Sequence, residues 1–344
     1  MNPSILREDI SLLAKNFPFK EDLKGKSILI TGATGLIGSL IVWTLEALNH
    51  DNNTDIRIII LVRDKAKAFR MFDGDRITVI TADLSGKDEH ADIPAVDYIF
   101  HCASPTASGF LAGKPVETMK TIFEGTDFIL EKALEKKVSG MVFLSSLESY
   151  GVVDDDRDID ENFHGRYDLL SPRSSYPVGK AAAEILCVSY YHEYGVPVKI
   201  ARLTQVFGAG VAPEDNRVFA QFARAVISGQ DIELHTTGES SKPYCYTTDA
   251  VSALFYILLK GKDGDAYNVA NPSSYISIRE LAEFLVREFS PVSKVKLELS
   301  SDRGYAPPTK LNLNTEKLEC LGWRPKYDLK EMFTRLIAYL NPTD

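Results

Sequence analysis

Short runs of uninterrupted apolar residues alternate along this chain with longer stretches whose apolar positions recur every three or four residues. The short runs fall at residues 27–31 (SILIT), 56–62 (IRIIILV), 77–81 (ITVIT), 98–101 (YIFH) and 141–145 (MVFLS), with a sixth at 198–203 (VKIARL). Unbroken apolar character, rather than in–out alternation, suits strands covered on both faces, as in a parallel sheet. Helical patterns at 36–48, 116–136 and about 176–194 separate them. This β–α alternation predicts an α/β fold built on a doubly wound parallel sheet. After Gln205 the rhythm changes: short strands near 232–235 and 267–269 mix with helices at 218–228, 249–259, 278–289 and 329–340. A smaller C-terminal α/β lobe is therefore expected, its segments interleaved with the sheet. The expected division is 1–25 as an N-terminal extension, 26–205 as the sheet domain with some later segments, and 206–344 as mainly the lobe. The acidic run 154–161 reads as a solvated loop.

Composition narrows the class without naming it. Of 344 residues, 44% are hydrophobic and 25% charged, which argues against a disordered chain or a membrane bundle. The net charge of −9 gives no reason to expect a nucleic acid or an anionic membrane as partner. Residues 27–45 are uncharged and of membrane-spanning length. They hold Gly32, Gly35 and Gly38 and pass from β-branched to helical character midway, so a strand, a turn and a helix are expected instead. Cys102, Cys187, Cys245 and Cys320 lie far apart, with no Cys/His cluster. No metal site is expected, and a reduced, cytoplasmic setting is. The first residues interleave charges with apolar positions and lack the apolar core of a secretion signal.

Three motifs carry chemistry. The first is Thr31-Gly32-Ala33-Thr34-Gly35-Leu36-Ile37-Gly38, directly after a strand and opening a helix. Glycines there allow a tight turn and close approach to a pyrophosphate, and the helix start offers free N–H groups. That context predicts a Rossmann-type dinucleotide site. The second is Tyr176-Pro177-Val178-Gly179-Lys180. Residues four apart share a helix face, and an ammonium beside a phenol lowers the phenol's pKa from near 10, which would suit Tyr176 as a general base. A surface Tyr–Lys pair is the alternative. The third is Ser145-Ser146-Leu147-Glu148-Ser149-Tyr150-Gly151 at a strand's C-terminal end, where sites in open α/β sheets gather. Ser146 there either binds a reacting oxygen or caps its own loop.

In this order the three motifs resemble the extended short-chain dehydrogenase/reductase superfamily, in its NAD-dependent epimerase/dehydratase branch. The likeness runs from about Lys26 to Tyr339. It includes Asp83-Leu84, where such enzymes contact adenine; His101-Cys102-Ala103-Ser104 after the fourth strand; Arg202-Leu203-Thr204-Gln205-Val206-Phe207-Gly208; Lys242 to Asp249; Tyr267-Asn268-Val269; and Leu321-Gly322-Trp323-Arg324-Pro325. The resemblance implies a tightly bound NAD or NADP, held by Gly32, Thr34, Gly35, Leu36, Ile37, Gly38, Arg63, Asp83, Leu84, Ala103, Ser104, Tyr176 and Lys180. It implies a nucleotide-sugar substrate and a transient 4-keto sugar, with Ser146, Glu148, Tyr176 and Lys180 as catalytic residues. Gln205, Arg217, Lys242 and Arg173 would bind substrate, and a homodimer is implied.

The branch turns on Glu148. A carboxylate there suits lyase chemistry, either decarboxylation of a UDP-uronic acid or 4,6-dehydration, although Leu147 stands where some dehydratases carry an Asp. A nucleotide-sugar 4-epimerase is the close alternative, and a purely structural hydrogen bond is the bland one. Arg63 follows the second strand where NAD-specific members often place an acid, and so favours the 2′-phosphate of NADP. It also raises a third reading, an NADP-dependent keto-sugar reductase. The neighbouring Asp64 leaves the coenzyme choice open.

Overall fold

The computed structural model describes residues 1–72, 74, 76–84, 92–299 and 308–341. Helices α1 (Pro3–Lys15) and α2 (Lys20–Leu23) precede β1 (Ser27–Thr31), α3 (Leu36–Asn52), β2 (Arg57–Val62), α4 (Lys65–Met71), β3 (Ile77–Thr81) and β4 (Tyr98–His101). Next come α5 (Ser108–Gly113), α6 (Pro115–Lys136), β5 (Gly140–Ser146), β6 (Asp158–Ile159), α7 (Ser175–Tyr194), β7 (Val198–Leu203) and β8 (Gln205–Phe207). The remainder holds α8 (Val218–Ile227), β9 (Ile232–Leu234), β10 (Ser241–Tyr246), α9 (Thr247–Lys260), β11 (Ala266–Val269), β12 (Asn271–Ser277) and α10 (Ile278–Phe289), then β13 (Val295–Leu297), β14 (Asn312–Leu313), α11 (Glu316–Glu319) and α12 (Leu329–Leu340).

Seven strands form one sheet in the order β11-β7-β5-β4-β1-β2-β3. Every pairing in it is parallel. This is the doubly wound, Rossmann-type sheet that the apolar runs predict. Strand order reverses between β1 and β4, so the crevice beyond their C-terminal ends is where ligands gather in such sheets. One apolar core lies on the α3 and α9 side, and a second on the α6 and α7 side. A third is built around α8, α10 and α12, over the mixed sheet β12-β10-β8.

Three local outcomes differ from the sequence expectation. The strand at 266–269, expected in the lobe, is the sheet's seventh strand, pairing Tyr267 with Ala201 and Val269 with Leu203. Both residues are almost wholly buried, so core burial decided its place. The acidic run is not simply a solvated loop. Ile159 within it is fully buried with Tyr150, Val153, Leu311 and Leu313, and β6 pairs with β14. The first 25 residues fold into α1 and α2, and α1 packs against α3, α9 and α12. Asp9 on α1 is buried, accepting from the Tyr246 hydroxyl at 2.5 Å and from Arg335 Nε at 2.7 Å. The charges scattered through residues 7–9 hide that helix's apolar stripe from a reading of pattern alone. Among the described residues, no helix is long and apolar enough to cross a membrane, and no cluster of His, Cys, Asp and Glu is placed to hold a metal.

Candidate active site

The glycine-rich turn joins β1 to α3. Gly32 has φ +64°, and a Cβ there would sit 2.8 Å from the Ala103 backbone. A Cβ on Gly38 would lie 2.4 Å from the Gly32 carbonyl oxygen. The first turn of α3 has no side-chain cap, because Gly35 stands at its N-cap. Its leading N–H groups are left for an anion. Side chains would fill this cradle, so the residues fit a dinucleotide pyrophosphate.

A buried relay pins the neighbouring strand end. His101 Nδ1 lies 2.7 Å from the Thr31 hydroxyl, and His101 Nε2 lies 3.2 Å from the Thr126 hydroxyl. The Ala103 N–H donates to the Thr31 hydroxyl at 3.1 Å, which holds Ala103 and Ser104 beside Gly32. Burial drives the His101 pKa down to about 3, so the ring is neutral here and its tautomer follows the two threonines. On the other flank, Leu84 is buried against Gly125 of α6, and Asp83 beside it is half-buried.

Arg63 is exposed just past β2. The adjacent Asp64 carboxylate caps α4, accepting the Lys67 N–H at 2.8 Å. Lys67 Nζ in turn reaches the Thr34 carbonyl at 3.1 Å. Asp64 is therefore engaged by its own helix, and two cations stand near the glycine turn. Thr34, Leu36 and Ile37 line that turn, partly open to solvent.

The candidate reacting groups converge at the end of β5. Ser146 caps a single 3-10 turn over 147–150, accepting the Glu148 N–H at 3.2 Å. Glu148 keeps one side open to solvent while protein encloses the rest. That enclosure raises its pKa, against the pull of Lys242 on β10 and of Arg173 just before α7. Tyr176, in the first turn of α7, is 8% exposed. Burial pushes its hydroxyl up and the Glu148 charge adds to this, while a hydrogen bond with Ser146 and the Arg217 charge pull it down. The direction is opposite to the one expected from the Tyr–Lys pair. The reason is geometric: Lys180 Nζ donates to the Leu144 carbonyl at 2.7 Å and lies 6.0 Å from the centroid of the Tyr176 ring. Burial lowers Lys180 itself to about 8.

Arg217 is the N-cap of α8, forked onto Asp215 with Nε 3.0 Å from both carboxylate oxygens, and its guanidinium lies 4.9 Å from the Phe219 ring. Its charge acts on both Tyr176 and Lys242. Lys242 is pulled below its ordinary value by burial, and Glu148 opposes this. Gln205 opens β8, in register with Tyr244 of β10. Ser146, Glu148, Tyr176, Arg173, Arg217 and Lys242 thus share one electrostatic neighbourhood, drawn from four separate stretches of chain. Sequence reasoning missed Asp215, which orients Arg217, and Lys67. It also missed Glu184, bonded to Arg202 of β7 at 2.6 Å beneath the site. The spacing Tyr176, Lys180, Glu184, one residue per helical turn, was the available signal for the last of these.

Comparisons with known proteins agree with this geometry. A family model described as the NAD dependent epimerase/dehydratase family matches residues 28–270. UDP-glucuronic acid decarboxylase 5 of Arabidopsis thaliana is 29% identical over 308 residues, spanning 88% of this chain and 86% of that protein. Among solved structures, UDP-N-acetylglucosamine 4-epimerase from Methanobrevibacter ruminantium superposes with a TM-score of 0.76 at 21% identity, covering 92% of this chain and 98% of that one. The dTDP-glucose 4,6-dehydratase of Bacillus anthracis, in complex with NAD, superposes with a TM-score of 0.72 at 20% identity, covering 91% and 96%. At those identities the structural matches speak for the fold.

Proposed function

The chain belongs to the NAD dependent epimerase/dehydratase family, and from that premise we propose that it is a lyase that decarboxylates a UDP-uronic acid through a 4-keto sugar. The observation that carries this reading is Glu148 just past the end of β5, its pKa raised by burial against the charges of Lys242 and Arg173, its own charge acting on Tyr176. The curated decarboxylases that match most of the chain support it.

The bound coenzyme would supply hydride acceptance at C4 and its return. The protein's own residues do the rest. The Tyr176 phenolate takes the proton of the C4 hydroxyl, and Ser146 donates to the same oxygen. A phenol raised by burial is a strong base once ionised, and Arg217 and the Ser146 bond favour that ionised form. Lys180 adds a buried positive charge under the site. With C4 as a ketone, the C6 carboxylate becomes part of a β-keto acid. Breaking the C5–C6 bond releases carbon dioxide and leaves its electron pair in the C4–C5 enolate. Glu148, protonated more readily than an ordinary carboxyl, returns a proton to C5. Lys242 and Arg173 hold the carboxylate before it leaves, and Arg217 and Gln205 bind toward the diphosphate. Leu147 offers no acid for expelling a C6 hydroxyl, which disfavours 4,6-dehydration.

We assign the coenzyme to the seven-stranded sheet and the nucleotide sugar mainly to residues 206–344. Arg63, Lys67 and the engaged Asp64 favour a 2′-phosphate, hence NADP. The same feature supports the second reading, an NADP-dependent keto-sugar reductase. Val116, Met119 and Phe123 on α6 and Ile185, Val188 and Tyr191 on α7 are exposed on two helices that pack together. Exposed apolar residues on paired helices support a second copy of the chain as partner.

The test is NMR of UDP-glucuronate incubated with the enzyme and NAD or NADP. Carbon dioxide release with a UDP-pentose product is expected. UDP-galacturonate would instead mark a 4-epimerase, a stoichiometric rise in reduced-coenzyme absorbance with net oxidation of the sugar the oxidoreductase reading run in reverse, and unchanged sugar with both coenzymes would overturn the lyase reading.

A further inference from the structure

We propose that Glu184 is a positioning residue that locks β5 to α7 in register and keeps the Lys180 ammonium charged. Three consecutive residues of β5 each meet one buried residue of α7. The Leu144 carbonyl accepts from Lys180 Nζ at 2.7 Å. The Ser145 hydroxyl donates to Glu184. The Ser146 hydroxyl bonds the Tyr176 hydroxyl. Tyr176, Lys180 and Glu184 are four residues apart, at 8%, 2% and 6% exposure, so they form one inward stripe.

The middle rung is anchored from behind. Arg202 of β7 is opposite Ser145 in the sheet register. Its Nε lies 3.1 and 3.0 Å from the two Glu184 oxygens, and Nη2 lies 2.6 Å from Oε2. Its Nη1 donates to the Glu161 carbonyl at 2.8 Å, and its plane lies 4.6 Å from the Tyr150 ring. Tyr150 ends the turn that carries Glu148, and its hydroxyl donates to Asn268 Oδ1 at 2.7 Å. One carboxylate therefore ties the helix bearing Tyr176 and Lys180 to the strand and turn bearing Ser146 and Glu148.

The same carboxylate has an electrostatic task. Lys180 is buried with the Phe143 ring 4.8 Å away, the neutral His101 on β4, the Cys102 thiol after it and the Cys187 thiol on its own helix. Burial raises both thiols far above their usual range, so they stay uncharged. Among the groups acting on Lys180, Glu184 is the carboxylate, one helical turn away and forked onto Arg202, and it opposes the desolvation of the ammonium. A bystander ion pair would hold the fold without affecting that charge.

The inference takes the roles of Tyr176, Lys180 and Ser146 from the proposed function, but the titration arm of its test does not need turnover. The lysine ε-carbons are labelled with carbon-13, and the Lys180 signal, assigned with Lys180→Met, is titrated by NMR in the full chain. Glu184→Gln should lower the Lys180 midpoint by about one pH unit. Because that variant leaves Arg202 without its counter-charge, Glu184→Asp is titrated in parallel. It keeps Arg202 paired but withdraws the carboxylate by about one carbon–carbon bond, and should lower the midpoint by a smaller amount. Ser145→Ala should leave the midpoint in place and lower kcat on UDP-glucuronate with little change in KM. A midpoint unmoved in both Glu184 variants, or kcat unchanged in Ser145→Ala, overturns the proposal. A wild-type enzyme silent on UDP-glucuronate would sink the lyase reading and leave the titration to decide this one.

Discussion

Replacing Gly38 by alanine isolates what the glycine cradle does. Gly38 sits in the first turn of α3 with ordinary helical geometry, so alanine brings no backbone strain and by propensity alone gains about 1 kcal/mol. Its methyl, however, would lie 2.4 Å from the Gly32 carbonyl oxygen and 2.8 Å from the Ala33 Cα. Both are backbone atoms of the strand-end turn, so no side chain can swing away. The start of α3 must back off from the turn by roughly an ångström. Overpacking of that kind costs about 1–3 kcal/mol, which the propensity gain partly offsets, so the fold should survive with a Tm lower by only a few degrees. Coenzyme binding should suffer more. Withdrawing one backbone N–H from a charged phosphate oxygen loses about 1.5–3 kcal/mol, or roughly 10- to 150-fold in Kd. Fluorescence titration of the reduced coenzyme, alongside a thermal melt, measures both. Gly113→Ala is the control, since a Cβ there meets nothing within 4 Å. A Gly38→Ala protein binding within twofold of wild type would refute the argument that close backbone packing aims these N–H groups at the pyrophosphate.

Other predictions follow from the site. Tyr176→Phe should lower kcat by about 10²- to 10⁴-fold with the coenzyme still bound, and near-normal turnover would remove the phenol from the proton transfer. Glu148→Gln should still oxidise C4 and release carbon dioxide in the first turnover, but the slow return of a proton to C5 should cut steady-state UDP-pentose formation, as read by NMR. In the wild type steady-state UDP-pentose formation should fall as pH rises through the elevated Glu148 pKa, because the acid form supplies the C5 proton. His101 is held near 3 in the fold against 6.5 for the free side chain. The unfolded chain therefore takes up the proton first, and stability should drop as pH falls from 6.5 toward 3. His101→Asn should flatten that part of a denaturant-midpoint profile, and an unchanged slope would clear His101. Arg63→Ala should weaken NADP by roughly tenfold or more, the worth of a charge-assisted phosphate contact, with NAD unchanged in calorimetry.

Much of the molecule is legible in the chain. Unbroken apolar runs predict the parallel strands because burial on both faces leaves no polar position. The Gly32–Gly38 spacing predicts the cradle because glycine alone permits those approaches. The Tyr176–Lys180 and Ser146–Glu148 pairs are local enough for spacing to predict that they share a helix face or a turn. The reversed direction of the Tyr176 shift was not legible. A spacing places Lys180 near the phenol, but it does not say that the ammonium is occupied by the Leu144 carbonyl or that Glu148 adds a negative charge beside the ring. The helical character of residues 3–15 was hidden too, because Asp9 reads as a surface charge until Arg335 and Tyr246 arrive from the far end of the chain.

The sequence by itself therefore determined six of the sheet's seven strands, the glycine cradle and the residue types of the candidate site, since each is read from neighbours within a few residues. Only the tertiary structure decided which charges face one another: Lys242 and Arg173 on Glu148, Asp215 on Arg217, Asp64 on its own helix, and Glu184 between Lys180 and Arg202. Electrostatic effects depend on distance and burial in three dimensions. Residues as far apart in sequence as Glu148 and Lys242 acquire both only when the chain has folded.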